Sequence, residues 1–141
     1  LDILVVDGET EKYDAMAASD AALAASGTVA LELALARLPS VIAYRMNPVT
    51  GWIARRVVRL DYVNLINILL KREVVPEFLL EDCTAANLAG ALGDLFHSEE
   101  KRRQQIVSCG EAMLLLGEGG AAPGARAADI ILKLITRDKT T

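Results

Sequence analysis

The stretch Ala25-Ser26-Gly27-Thr28-Val29-Ala30-Leu31-Glu32 constrains the fold more than any other part of the 141-residue chain. The apolar run Ala21–Ala24 before it suits a buried strand, and the strong helix formers from Leu31 to Leu38 predict a helix after it. Between them Ser26 or Thr28 can cap the helix with a side-chain oxygen. Gly27 lets the backbone bend tightly and lets another molecule approach it closely. A strand, a small-residue turn and a helix N-terminus together form a ready anion site, because free N–H groups and the helix dipole point at it. Glu32 lies four residues after Thr28, on the same helix face. Many α/β proteins carry such a turn with no ligand, and an acid near a helix start gains from the dipole in any case, so the surroundings must decide.

Those surroundings alternate strand and helix. Ile3–Val6 reads as a short buried strand ended by Asp7-Gly8. Glu11 to Ala18 reads as a helix with Thr10 as its cap. Pro39 breaks the helix after the turn, and Ser40–Tyr44, with β-branched Val41 and Ile42, is the next strand. This βαβ rhythm predicts a parallel sheet flanked by helices, with ligands held beyond the C-terminal ends of the strands. Tyr62–Leu65 reads as a fourth strand, and Asn67 to Lys71 as a short turn or helix. Thr84 caps a helix from Ala85 to about Phe96, striped by Leu88, Leu92 and Leu95. Glu99 to Leu116 is a longer helix, Gly117-Glu118-Gly119-Gly120 a flexible linker, and Ala125 to Ile135 a last amphipathic helix. The expected division is therefore 1–116 as one unit, with 117–141 as its linker and terminal helix.

Composition narrows the class. Apolar residues make up 52% and charged residues 24%, which suits a globular chain. A net charge of −4 argues against general nucleic-acid binding. Cys83, Cys109 and the single His97 form no zinc or disulfide framework, and no metal site is expected. Cys109 reads as inert packing and His97 as a surface or capping residue. No uncharged run exceeds 11 residues, too short for a membrane-spanning helix. The chain starts inside an apolar run without Met, as a piece of a longer protein does.

Two stretches run against the average. From Arg45 to Arg72 there are six basic residues and one acid, Asp61. Helical spacing puts Trp52, Arg55, Arg56 and Arg59 on one face after Pro48. That face is either solvated or a patch for anionic lipid or phosphate, since Trp beside Arg suits a membrane interface. Farther on, Asn67, Arg72 and Glu73 interrupt an apolar segment. They either cap a turn and pair with a nearby acid, or line a cleft at the same sheet edge as the Gly27 turn.

The ordered motifs Asp7-Gly8, Met16-Ala17-Ala18-Ser19-Asp20, Ala25 to Glu32, Pro39 to Arg45, Asn47-Pro48-Val49-Thr50-Gly51-Trp52, Tyr62 to Leu65, Asn67-Ile68-Leu69 and Arg72 to Glu77 resemble the C-terminal half of the lipid-A-disaccharide synthases. The resemblance implies a Rossmann-like UDP-binding domain of a two-domain (GT-B) glycosyltransferase. The family transfers 2,3-diacylglucosamine from UDP to 2,3-diacylglucosamine 1-phosphate, forming the β-1,6 disaccharide of lipid A, without a metal or other cofactor. It implies that Ser26, Gly27 and Thr28 face the diphosphate, that Glu32 holds the ribose hydroxyls, and that Tyr44 and Arg45 lead into the cleft. Asn67, Arg72 and Glu73 match the family's asparagine and Arg-Glu motif, with Arg72 neutralising the departing UDP in place of a metal. Where the family has Ala-Gly before that arginine, this chain has Leu70-Lys71. The catalytic base and much of the acceptor site belong to an N-terminal domain. The resemblance also implies work in the cytoplasm at the inner membrane of a Gram-negative bacterium, and dimers with exchanged C-terminal segments. A UDP-N-acetylglucosamine 2-epimerase-like enzyme and a non-catalytic nucleotide-sugar binding module are the competing readings.

Overall fold

The structure, a computed structural model, describes residues 2–25, 27–45 and 62–138, the side chains as far as 135. In chain order the elements are α1 (Glu9–Ala17), β1 (Ala22–Ala25), α2 (Val29–Leu35), β2 (Ser40–Tyr44), α3 (Leu65–Leu70), β3 (Glu77–Leu79), α4 (Ala85–His97), α5 (Glu99–Leu116) and α6 (Pro123–Asp138). The three strands form one parallel sheet in the order β1-β2-β3. Ala22 pairs with Ser40 and Ala25 with Ala43, while Ile42 pairs with Glu77 and Tyr44 with Leu79. The expected α/β class with a parallel sheet is what the chain adopts.

The core lies around β2 and the faces of α2, α3 and α5 turned toward it. Val41, Ile42 and Ile66 are fully buried, and Ala30, Ala34, Val75, Cys109, Ala112 and Met113 close around Ile42 and Ile66. Small residues on both α2 and α5 let these helices approach closely. Burying Ile42 and Ile66 contributes about 1.5–3 kcal/mol each.

The ends of α2 and α5 share one closure. Leu38 N–H donates to Leu33 O over 3.0 Å while Arg37 N–H donates to Ala34 O, with Arg37 at φ 56°. This double bond pattern satisfies carbonyls that a helix end leaves unpaired. It stops α2 at Leu35, before Pro39 can act, rather than at the expected Leu38. The same closure ends α5 at Gly117, while α3 ends at Lys71, φ 54°, with the N–H groups of Lys71 and Arg72 both donating to Asn67 O. Lys71 thus takes the left-handed conformation that glycine adopts freely, at the position where the resemblance led us to expect Gly.

Several expectations are corrected. Ile3–Val6 is no strand: Ile3, Leu4 and Val5 are at least 80% exposed. Four apolar residues become a strand only when a neighbouring strand and a core meet them, and among the described residues nothing does. Tyr62–Leu65 is no strand either, because Asn64 caps α3 by accepting from Ile66 N–H over 2.8 Å. That local bond outweighs the β preference of Tyr62 and Val63. The third strand is instead Glu77–Leu79, extended after Pro76. α1 starts at Glu9 behind Gly8, so Thr10 lies inside it and is not its cap. Thr84 does cap α4, its hydroxyl accepting from Asn87 N–H over 3.2 Å. Ser26 and the segment 46–61, which holds Trp52, Arg55, Arg56 and Arg59, lie outside the described residues.

Candidate functional site at the strand ends

In a parallel sheet every strand points its C-terminal end the same way, so β1 and β2 deliver the chain to one edge. Gly27, Thr28, Tyr44 and Arg45 collect there. The pairing of Ala25 with Ala43 puts Tyr44 one residue further, level with the turn that follows β1. Gly27 has φ +141°, a conformation that side chains with Cβ rarely adopt, and among the described residues beyond its chain neighbours nothing lies within 4 Å of where a Cβ would sit. The glycine is therefore needed for the backbone, and the opening above it is available to a ligand. Thr28 occupies the cap position of α2 in helical geometry and makes no side-chain cap bond. A cap by the Thr28 hydroxyl, one of the two expected, is absent because a helical φ/ψ turns the side chain away from the next N–H groups. The N–H groups of Ala30, Leu31 and Glu32 are taken up by Gly27 O and Thr28 O.

Glu32 sits one turn into α2. Its Oε2 is 3.0 Å from Lys12 Nζ of α1, with both side chains about one-third exposed (31% and 34%). The hydrogen bond to Glu32 is the main cause that raises the Lys12 ammonium above its ordinary range, with burial opposing it. Lys12 also lies 4.7 Å from the centroid of the Tyr13 ring. Sequence reasoning passed over Lys12, because a lysine in a short polar helix carries no signal of a partner twenty residues on.

The opposite end is knitted shut. Asn67 is fully buried, and its side chain holds the turn before β3: Oδ1 accepts from Val74 and Val75 N–H at 2.8 and 2.9 Å, and Nδ2 donates to Val75 O at 2.8 Å. Nδ2 also donates to Glu77 Oε1, while the Glu77 carboxylate accepts from Val63 and Asn64 N–H. From α5, Gln105 accepts from Ser40 N–H over 2.6 Å and donates to the carbonyls of Ser40 and Val74. Glu77 and Gln105 were not foreseen; one follows a proline and the other sits in a run of charged helix residues, and neither pattern names a partner.

Arg72 and Glu73 belong to this second end. Because α3 runs back against the strands, its C-terminus must lie where β3 begins. The expectation that these residues share an edge with the Gly27 turn is thus corrected. Arg72 donates to Glu111 Oε2 at 2.9 Å and to Ser108 Oγ at 3.2 Å, both on α5. A cavity of about 310 Å³ opens beside it, lined among others by Glu73, Lys101, Gln104 and Ser108. Elsewhere, His97 Nδ1 lies 2.6 Å from Gly93 O, and burial pushes the Cys109 thiol up to about 11. Among the described residues no group of three His, Cys, Asp or Glu side chains is placed to hold a metal, and no helix is long and apolar enough to cross a membrane.

A parallel sheet flanked by helices, with a glycine turn and an acid one helical turn beyond a strand end, defines an α/β protein of the Rossmann-like class. The family model described as lipid-A-disaccharide synthetase matches residues 1–131, and the chain belongs to that family. It is 53% identical over 130 residues to a lipid-A-disaccharide synthase of Rhodospirillum centenum, covering 92% of this chain and 32% of that relative. With the enzyme of the same name from Paramagnetospirillum magneticum it shares 50% identity over 138 residues, 96% of this chain and 35% of the relative. A third, from Erwinia tasmaniensis, is 50% identical over 98 residues, 70% of this chain and 26% of the relative. The chain therefore spans about a third of the length of the relatives it matches most extensively.

Proposed function

We propose that this chain is the C-terminal, UDP-binding part of a GT-B lipid-A-disaccharide synthase. The observation that carries this reading is 53% identity over 92% of the chain to a protein of that name. The complete enzyme transfers 2,3-diacylglucosamine from its UDP donor to 2,3-diacylglucosamine 1-phosphate, forming a β-1,6 bond and releasing UDP. Residues 1–116 hold the nucleotide, and 117–141 form the linker and terminal helix.

On this reading the strand-end edge does the recognition. Residues 26–28 cradle the diphosphate, which the open space over Gly27 supports. Glu32 accepts hydrogen bonds from the ribose diol, a task suited to a carboxylate because each such bond is strengthened by its charge. Tyr44 and Arg45 complete the edge. Negative charge grows on the diphosphate as UDP leaves, and a fixed cation lowers the energy of that state. Arg45, at the strand end, is better placed for this than Arg72 at the strand starts. The base that activates the acceptor hydroxyl lies outside residues 1–141. The basic stretch with Trp52, Arg55, Arg56 and Arg59 meets the inner-membrane surface where the acylated substrates reside, and the chain dimerises by exchanging C-terminal segments.

Calorimetric titration with UDP and with ADP, in the absence of divalent cations, tests the proposal. It is run on this chain and on the longest natural chain that contains it. UDP binding well ahead of ADP is the expected result. Equal binding of both, or binding of neither by either protein, contradicts it.

A further inference from the structure

Lys12 reaches from α1 to α2 and places its ammonium 3.0 Å from one oxygen of Glu32. Ion pairs this exposed contribute little to stability, so their effect on geometry is the more telling one. A glutamate in the first turn of a short helix has several rotamers open to it. Lys12 selects the one that points toward α1 and occupies Oε2. The carboxylate has about four lone-pair sites, of which one ammonium engages only part. Among the described residues Oε1 has no hydrogen-bond partner, and Glu32 keeps about a third of its side chain exposed (31%). The other acid near Lys12, Glu9, is farther off at 3.8 Å and 89% exposed, so Glu32 is the partner that holds the lysine in place.

From this geometry we infer that Lys12 is a positioning residue for ribose recognition: it pins the Glu32 carboxylate so that its second oxygen meets the ribose hydroxyls. The inference rests on the assignment of Glu32 to the ribose in the preceding section. Lys12 does not touch the nucleotide. Its removal loosens the grip on the sugar and leaves the grip on the phosphates unchanged.

The test compares UDP, 2′-deoxy-UDP and UMP by calorimetry on the longest natural chain that contains residues 1–141, with Lys12→Met, Lys12→Arg and Glu32→Gln variants. Parent protein prefers UDP over 2′-deoxy-UDP about tenfold, the scale of one hydrogen bond to a charged group. Lys12→Met cuts that preference to about threefold and leaves the UDP-over-UMP ratio unchanged, since a mobile carboxylate forms the same bond less often. Lys12→Arg restores most of it, and Glu32→Gln removes more of it than Lys12→Met does. An unchanged UDP to 2′-deoxy-UDP ratio in Lys12→Met overturns the inference alone. So does a fall in the UDP-over-UMP ratio, which makes Lys12 a phosphate contact. A parent protein that binds UDP with no preference for the 2′-hydroxyl, or not at all, overturns the Glu32 assignment and this inference with it.

Discussion

Where the strands begin, side chains take up the backbone. Asn67 bonds Val74 and Val75, Gln105 bonds Ser40 and Val74, and Glu77 bonds Val63 and Asn64. Where the strands end, Gly27 and Thr28 lie exposed, Thr28 makes no cap bond, and the residues in the turn are small. Polar residues at the first edge hold the chain; at the second, Thr28 and Arg45 are exposed. The comparison teaches that a conspicuous polar motif in an apolar segment is not thereby a site. In Asn67-Ile68-Leu69-Leu70-Lys71-Arg72 the asparagine is a structural clamp, and the arginine is an outward ion pair on α5.

The largest effect should come from the clamp. Asn67→Ala removes four hydrogen bonds and strands buried backbone groups at Val74 and Val75. A loss of about 3–5 kcal/mol is expected in urea unfolding. A loss below about 1 kcal/mol would mean that the start edge is not held as described.

Cys109 reports on the same packing from α5. Its thiol is raised from an ordinary 9.0 to about 11 by burial. Between these values the unfolded chain ionises first, so the folded state binds more protons and stability falls as pH rises from about 9 to about 11. Two units correspond to about 2–3 kcal/mol. Unfolding measured across that window should show the fall in the parent and a shallower one in Cys109→Ala. A parallel slope in both would place the cysteine outside the packed core.

Glu32→Gln acts on the other edge. It should weaken UDP binding by about 1–3 kcal/mol while changing unfolding stability by less than about 1 kcal/mol, because only an exposed ion pair with Lys12 is lost. A reversed pattern would make Glu32 a structural residue. The smallest effect is expected for Arg72→Ala: at most about 1 kcal/mol in stability, since its pair with Glu111 is half-exposed, and no change in UDP affinity. A clear loss of UDP affinity there would return Arg72 to the site.

Much of this was legible in the sequence. The strands around the Ser-Gly-Thr turn and at Ser40–Tyr44 announce themselves by apolar runs bounded by breakers, and α4 by its Thr84 cap and leucine stripe. Ile3–Val6 carries the same apolar signal without a neighbour to pair with, and period alone does not supply one. Tyr62–Leu65 misleads because an Asn cap overrides a β-branched residue. At the candidate site, Gly27 and Glu32 are readable from local spacing. Lys12, Glu77 and Gln105 are not, because each acts on a partner brought near only by the sheet. Which edge receives Arg72 likewise depends on the direction of α3, a property of topology rather than of the motif.

The most direct test of the two-edge account is hydrogen exchange of backbone amides with and without UDP, on the longest natural chain that contains residues 1–141. New protection should appear in segments 26–32 and 44–45 and be absent from 72–76. Protection confined to 72–76, with the Gly27 turn unchanged, would contradict the account.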